Sequence, residues 1–120
     1  MLEKTPFILV VDDEESMRDA CSKILKKDGF LADTAKDGSA GLEKIEKNKP
    51  DLVLVDLKMP GISGMEVLEK IKEIDPNIIS VVITGYSTVE SAVEAMKKGA
   101  YDFLPKPFSP EELRIIIRRG

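Results

Sequence analysis

Apolar residues in this chain fall into short unbroken runs, separated by stretches with helical spacing. Pro6 to Val11 (PFILVV), Leu52 to Val55 (LVLV) and Ile78 to Ile83 (IISVVI) lack the every-second-residue alternation of a half-exposed strand. Runs of this kind predict strands buried on both faces, as in parallel sheets. A weaker strand is expected at Phe30 to Ala35 and a short one at Tyr101 to Leu104.

Between these runs the period changes. Met17, Ala20, Cys21, Ile24 and Leu25 recur at i, i+3, i+4, i+7 and i+8, the spacing of one helix face. Lys26 and Lys27 suit the last turn of that helix, and Gly29 is placed to stop it. Asp37-Gly38 opens a second helix through about Asn48, with Leu42 and Ile45 inward, and Pro50 ends the connection. Ser63 can cap a third helix whose inward face carries Gly64, Val67, Leu68 and Ile71. After the Asp75-Pro76-Asn77 turn and the next strand, a fourth helix is expected to bury Val89, Ala92, Val93 and Met96 and to close at Gly99. The last helix begins at Ser109-Pro110 and turns Leu113, Ile116 and Ile117 inward, leaving Ile115 outside that stripe.

Five strands alternating with five helices predict an α/β domain, a parallel sheet covered by helices on both faces, because right-handed crossovers leave little choice. Residues 1–120 show no repeat, linker or low-complexity segment and read as a single domain. The final helix runs to Arg118-Arg119-Gly120, which suggests a piece cut from something longer.

Composition narrows the function. A chain of 120 residues, 42% hydrophobic and 33% charged, can bury one ordinary core. A net charge of −4 argues against direct nucleic acid binding by this domain. There is no membrane-length apolar run and no signal-peptide pattern, and the single cysteine, on the first helix's apolar stripe, rules out an internal disulfide. A reducing, cytoplasmic setting is therefore expected. The chain has no histidine, which removes Ser-His-Asp and Cys-His catalysis and every His-containing zinc site. Its chemistry must run on carboxylates, hydroxyls and lysines, with a hard metal as an option.

Those groups collect at the strand ends. The first strand delivers Asp12 and Asp13, the third Asp56, the fourth Thr84 and the fifth Lys106. Each has an ordinary reading alone: Asp56 as a turn residue, Thr84 as a helix cap, Lys106 as a solvated surface cation. In open α/β sheets, however, the carboxyl edge of the strands is where ligands bind. Three carboxylates within about 4–6 Å repel by several kcal/mol at an effective dielectric near 20. All-oxygen ligands suit Mg²⁺ or Mn²⁺. A carboxylate nucleophile, a metal, a lysine and a hydroxyl are the parts of a phosphoryl-transfer site.

The Asp12-Asp13 pair, Asp56 before Met59-Pro60-Gly61, Thr84-Gly85 and Lys106-Pro107 resemble the receiver domain of bacterial two-component response regulators, over essentially the whole chain. The resemblance implies a flavodoxin-like (βα)5 fold, a doubly wound five-stranded parallel sheet in the order 2-1-3-4-5. It implies that Asp56 is the phosphoacceptor, served by a partner histidine kinase or phosphotransfer protein. Asp13 and Asp56 would bind Mg²⁺ (or Mn²⁺) directly, with the backbone carbonyl of Lys58, and Asp12 mostly through water. Lys106 would pair with Asp56 at rest and with the phosphoryl group afterwards, while Thr84 swings its hydroxyl to a phosphoryl oxygen. Phe103 matches the aromatic switch position, where many relatives have Tyr; without a hydroxyl, switching must rely on burial, and a core role is the plain alternative. The Lys106-Pro107 peptide bond is expected to be cis. Lys58 and Tyr86 flank the site at positions that tune phosphoryl lifetime, and long side chains there suggest hindered water.

The run from Tyr86 through Phe108 is similar to receivers of σ54-dependent transcription activators. That similarity implies a homodimer through the surface of the fourth helix, fifth strand and fifth helix, with an output domain beyond residue 120. The protein would be a signalling switch and not an enzyme turning over an external substrate. Three rivals compete. A Mg²⁺-dependent phosphohydrolase with an Asp nucleophile would want a second Asp where Lys58 stands. A flavin or nucleotide binder would want a Gly-rich loop where Asp12-Asp13-Glu14-Glu15 stands. A receiver that docks without phosphorylation is the third.

Overall fold

The computed structural model describes residues 5–85 and 87–119. Its elements alternate strictly: β1 (Phe7–Val11), α1 (Glu15–Lys27), β2 (Leu31–Ala35), α2 (Gly38–Lys47), β3 (Leu52–Val55), α3 (Gly64–Ile74), β4 (Ile79–Thr84), α4 (Val89–Lys97), β5 (Asp102–Pro105) and α5 (Pro110–Arg119). The strands form one parallel sheet in the order β2-β1-β3-β4-β5. This is the order the family resemblance implied.

The unbroken apolar runs explain the layering. Leu9, Val11, Val53, Val55 and Val82 point to one face and meet Ile45 of α2, Val67, Leu68 and Ile71 of α3, and Ala95 of α4. Ile8, Val10, Leu52, Leu54, Val81 and Ile83 point to the other and meet Cys21 and Leu25 of α1 and Leu113, Ile116 and Ile117 of α5. Strand neighbours alternate between the two cores, so the buried runs are apolar throughout except at Ser80 of β4. Cys21 is buried, and burial pushes its thiol up to about 11, with the Asp12 charge adding to the rise and Lys106 opposing it.

Local chemistry sets the helix ends. Gly29, at a φ of +91°, turns the chain out of α1, where Phe30 N–H donates to the Leu25 carbonyl at 3.0 Å. Asp37 accepts from Ala40 N–H at 2.8 Å and Ser63 from Glu66 N–H at 3.3 Å. Ser109 and Glu112 cap α5 reciprocally, at 3.1 Å and 2.9 Å.

One expected face is wrong and another is wrong at a single position. In α4, Val89, Val93 and Met96 are exposed (77%, 47% and 48%), while Ser91 and Ala95 are buried. Thr88 and Ser91 form a reciprocal capping box that fixes how the helix enters. The small side chains then face the sheet, where α4 packs on α3 and β5. The widest apolar stripe was not the buried one. In α1, Ala20 is likewise exposed, the inward positions being taken by Cys21 and Leu25 with Met17 and Ile24 beside them.

Register is what builds a site from this sheet. Val11 lies opposite Ala35 and Val55, Val55 opposite Val82, and Thr84 opposite Pro105. The pairing continues just past the strands, through Asp12 N–H to Ala35 O (3.1 Å), Asp56 N–H to Val11 O (3.0 Å) and Lys106 N–H to Thr84 O (2.8 Å). The residues following β1, β3 and β5 are therefore held at one edge by backbone bonds.

Candidate functional site

Asp12, Asp13 and Asp56 each offer a carboxylate oxygen, and these oxygens lie within 4.8 Å of one another. Asp12 and Asp56 are buried and Asp13 is exposed. The Lys106 ammonium enters from the end of β5 and donates to Asp12 Oδ2 at 2.7 Å, Glu14 Oε1 at 2.9 Å and Asp56 Oδ2 at 3.2 Å. The turns that follow the strands are tied to the same carboxylates. Asp12 Oδ1 accepts from Glu14 N–H at 2.9 Å, and Asp56 Oδ1 from Lys58 N–H at 3.3 Å. Asp13, Glu14, Asp56, Lys58, Thr84, Gly85 and Lys106 line a shallow cleft of about 400 Å³. A cavity of about 620 Å³ lies at the opposite end of the sheet, between Pro6, Ile8, Phe30 and Ile117, and contains none of these groups.

Burial and pairing act on the titrating groups in opposite senses. Burial raises the Asp12 carboxyl above its ordinary value, against the hydrogen bonds from Lys106 and Glu14 N–H and the Lys106 charge, while Asp56 adds to the rise. For Lys106, burial alone would push the ammonium down. Its hydrogen bonds to Asp12 and Glu14, with the charges of Asp12 and Asp56, override that and hold it above the usual lysine range. Lys106 is thus a fixed cation, its side chain only 10% exposed.

One ammonium neutralises one of the three clustered carboxylates, leaving excess negative charge on hard oxygen donors facing an open cleft. That donor set fits a small divalent cation such as Mg²⁺. It is hostile to a phosphate without one.

The remaining expected residues fall around this centre. Thr84 is buried at the end of β4 and lines the cleft. Phe103 is half-buried and packs against the α2–α3–α4 face of the core. The Lys106–Pro107 peptide bond is cis. Tyr86 lies outside the described residues. The sequence reading missed Glu14. Its signal was faint: a glutamate at the N-cap of α1, where a shorter side chain would make the better cap.

Comparison with known proteins agrees with this geometry. The family model described as response regulator receiver domain matches residues 8–118. The nitrogen assimilation regulatory protein NtrX of Azorhizobium caulinodans is 39% identical over 115 residues, covering 94% of this chain and 25% of NtrX. Sporulation initiation phosphotransferase F of Bacillus subtilis is 35% identical over 112 residues, covering 93% of this chain and 90% of that protein. Among solved structures, a CheY-like response regulator receiver domain protein from Methanospirillum hungatei superposes with a TM-score of 0.93 at 33% identity, covering 97% of this chain and 93% of that one. The chain thus spans about a quarter of the length of NtrX.

Proposed function

Because the chain belongs to the response regulator receiver domain family, we propose that it is a phosphorylation-dependent switch in which Asp56 accepts the phosphoryl group. An Asp56 oxygen attacks the phosphorus of a phosphohistidine. The P–N bond breaks, and the imidazole leaves with the electron pair. The phosphohistidine lies outside these 120 residues, which hold no histidine, on a histidine kinase or phosphotransfer protein. Asp13, Asp56 and the Lys58 backbone carbonyl would hold Mg²⁺ or Mn²⁺, with Asp12 acting through water. When bound, the ion would neutralise charge on the transferring oxygens. Lys106 supplies a fixed positive charge beside Asp56, and Thr84, which lines the same cleft, a hydroxyl donor. The same groups assist hydrolysis of the acyl phosphate, so the domain tends its own modification without turning over an external substrate.

The observation that carries this reading is the meeting of Lys106, Asp12 and Asp56 across 94 and 50 residues of sequence. Incubation with acetyl phosphate and Mg²⁺ should add a phosphoryl mass to the intact protein, and a chelator should cut the rate at least about 100-fold. Uptake unaffected by chelation would remove the metal from the reading. No uptake under any condition would leave a docking module, and steady phosphate release from added phosphomonoesters would favour the phosphohydrolase.

The acyl phosphate adds charge and acceptor oxygens that draw Thr84 and Lys106 inward, biasing the α4–β5–α5 surface between two states through Phe103 and the β4–α4 connection. That surface exposes Val93, Met96, Tyr101 and Ile115. We place a second copy of the chain there, in the cytoplasm, with a transcription-regulating output domain following, as NtrX is named a regulatory protein. No helix among the described residues is long and apolar enough to cross a membrane. Ile115→Asp should leave melting within about 2 °C of wild type, because the side chain is 53% exposed. It should also shift the sedimentation profile of the phosphorylated protein toward monomer. A profile identical to wild type would place the dimer elsewhere.

A further inference from the structure

An ammonium carries three N–H donors. Those of Lys106 meet three carboxylates, and the contact to Asp56, at 3.2 Å, is longer than those to Asp12 (2.7 Å) and Glu14 (2.9 Å). Asp12 and Asp56 belong to the acid cluster; Glu14 does not. Glu14 occupies the N-cap of α1, where Ser, Thr, Asp or Asn would bond the helix's open N–H groups, yet its side chain makes no capping bond. Its carboxylate reaches a lysine 92 positions away instead. The local turn aims it there. Asp12 Oδ1 accepts from Glu14 N–H at 2.9 Å, and Arg18 Nη1 donates to the Asp12 carbonyl at 2.8 Å, tying the first turn of α1 to the end of β1.

We propose that Glu14 is a positioning residue that tethers Lys106 in its resting place and slows phosphoryl transfer to Asp56. The inference rests on Asp56 being the phosphoacceptor. With an acyl phosphate donor, an Asp56 oxygen forms a new P–O bond while the P–O bond to the donor's acyl oxygen breaks. The carboxylate leaves with the electron pair. Charge builds on the phosphoryl oxygens as this happens, and a Lys106 donor turned toward them stabilises it. Glu14 holds one donor away. Its carboxylate is 58% exposed, so its bare charge is heavily screened and the direct bond is the effective restraint.

Two substitutions separate bond from charge. Glu14→Ala removes both; Glu14→Asp keeps the charge on a side chain one methylene shorter, which loses the reach. Both should take up phosphate from acetyl phosphate with Mg²⁺ about threefold faster than wild type or more. In metal-free protein both should also move the Lys106 ¹⁵Nζ resonance, which a helix-capping role would leave in place. Unchanged or slower uptake in Glu14→Ala overturns the inference. So does a wild-type rate in Glu14→Asp, since charge alone would then be the brake, and so does an unmoved Lys106 resonance. A wild-type chain that takes up no phosphate overturns the Asp56 assignment along with it.

Discussion

Asp56→Asn should abolish phosphoryl uptake from acetyl phosphate, a loss of at least about 1000-fold, while leaving the fold intact. The amide oxygen of Asn is a weak nucleophile, and its attack on phosphorus would leave a positive charge on the amide nitrogen that no carboxylate attack creates. Of the two buried carboxylates, Asp56 is the one that lines the cleft. Asp12 is completely buried and hydrogen-bonded on both oxygens, by Lys106 and by Glu14 N–H. Asp56 faces the cleft with Lys58, Thr84 and Lys106 around it. Stability should not fall, because Asn keeps an oxygen for one of the two donors that meet Asp56, Lys106 retains its bonds to Asp12 and Glu14, and one of three mutually repelling charges is removed. The melting temperature should therefore stay level or rise by a few degrees, about 4 °C for each kcal/mol of relieved repulsion. Intact mass spectrometry reads the first effect and thermal unfolding the second. A variant labelled as fast as wild type moves the acceptor to another carboxylate, and loss of label with a collapsed melting curve would merely report unfolding. Asp56→Glu, which keeps the charge and shifts the carboxylate outward by one methylene, guards against that second outcome.

Much of this site was legible because it follows from burial. The runs PFILVV and LVLV can be satisfied only between two helical layers, and a parallel strand so buried must deliver its first polar residue at the carboxyl edge. That is how Asp12 and Asp56 could be placed at one edge of the sheet without coordinates, while the family resemblance supplied the order that makes their strands neighbours. What could not be read depends on how whole elements are rotated or how far a side chain reaches. The rotation of α4 follows from the Thr88–Ser91 capping box and from small residues fitting close to α3 and β5. A count of apolar positions weights Val89, Val93 and Met96 more heavily and chooses the wrong face. Glu14 was passed over because its partner is set by tertiary approach, not by spacing. The same blindness makes the Gly64 position look like any other on the buried face of α3.

Gly64→Ala should destabilise the domain by about 3 kcal/mol, lowering Tm by about 10 °C, and should slow phosphorylation as well. Gly64 has no positive φ, so the demand is for space. A Cβ there would run into the carbonyl oxygen of Asp56 and lie 2.6 Å from Leu57 Cα and 2.9 Å from the Asp56 carbonyl carbon. All three are backbone atoms, which cannot rotate aside as a side-chain tip can. Gly64 N–H donates to the Leu57 carbonyl at 3.0 Å, fixing the start of α3 against this strand end. Relief must come either from backing α3 away, which unpacks Val67, Leu68 and Ile71, or from displacing the backbone that carries Asp56. Gly61→Ala is the control. Its Cβ would meet nothing within 4 Å, but its φ of +80° disfavours any side chain, so it should cost only about 1 kcal/mol. Urea unfolding of the two variants beside wild type makes the comparison. A Gly64→Ala midpoint at or above that of Gly61→Ala would mean that α3 does not sit hard against the Asp56 backbone, and the geometry that aims Asp56 into the cleft would need another source.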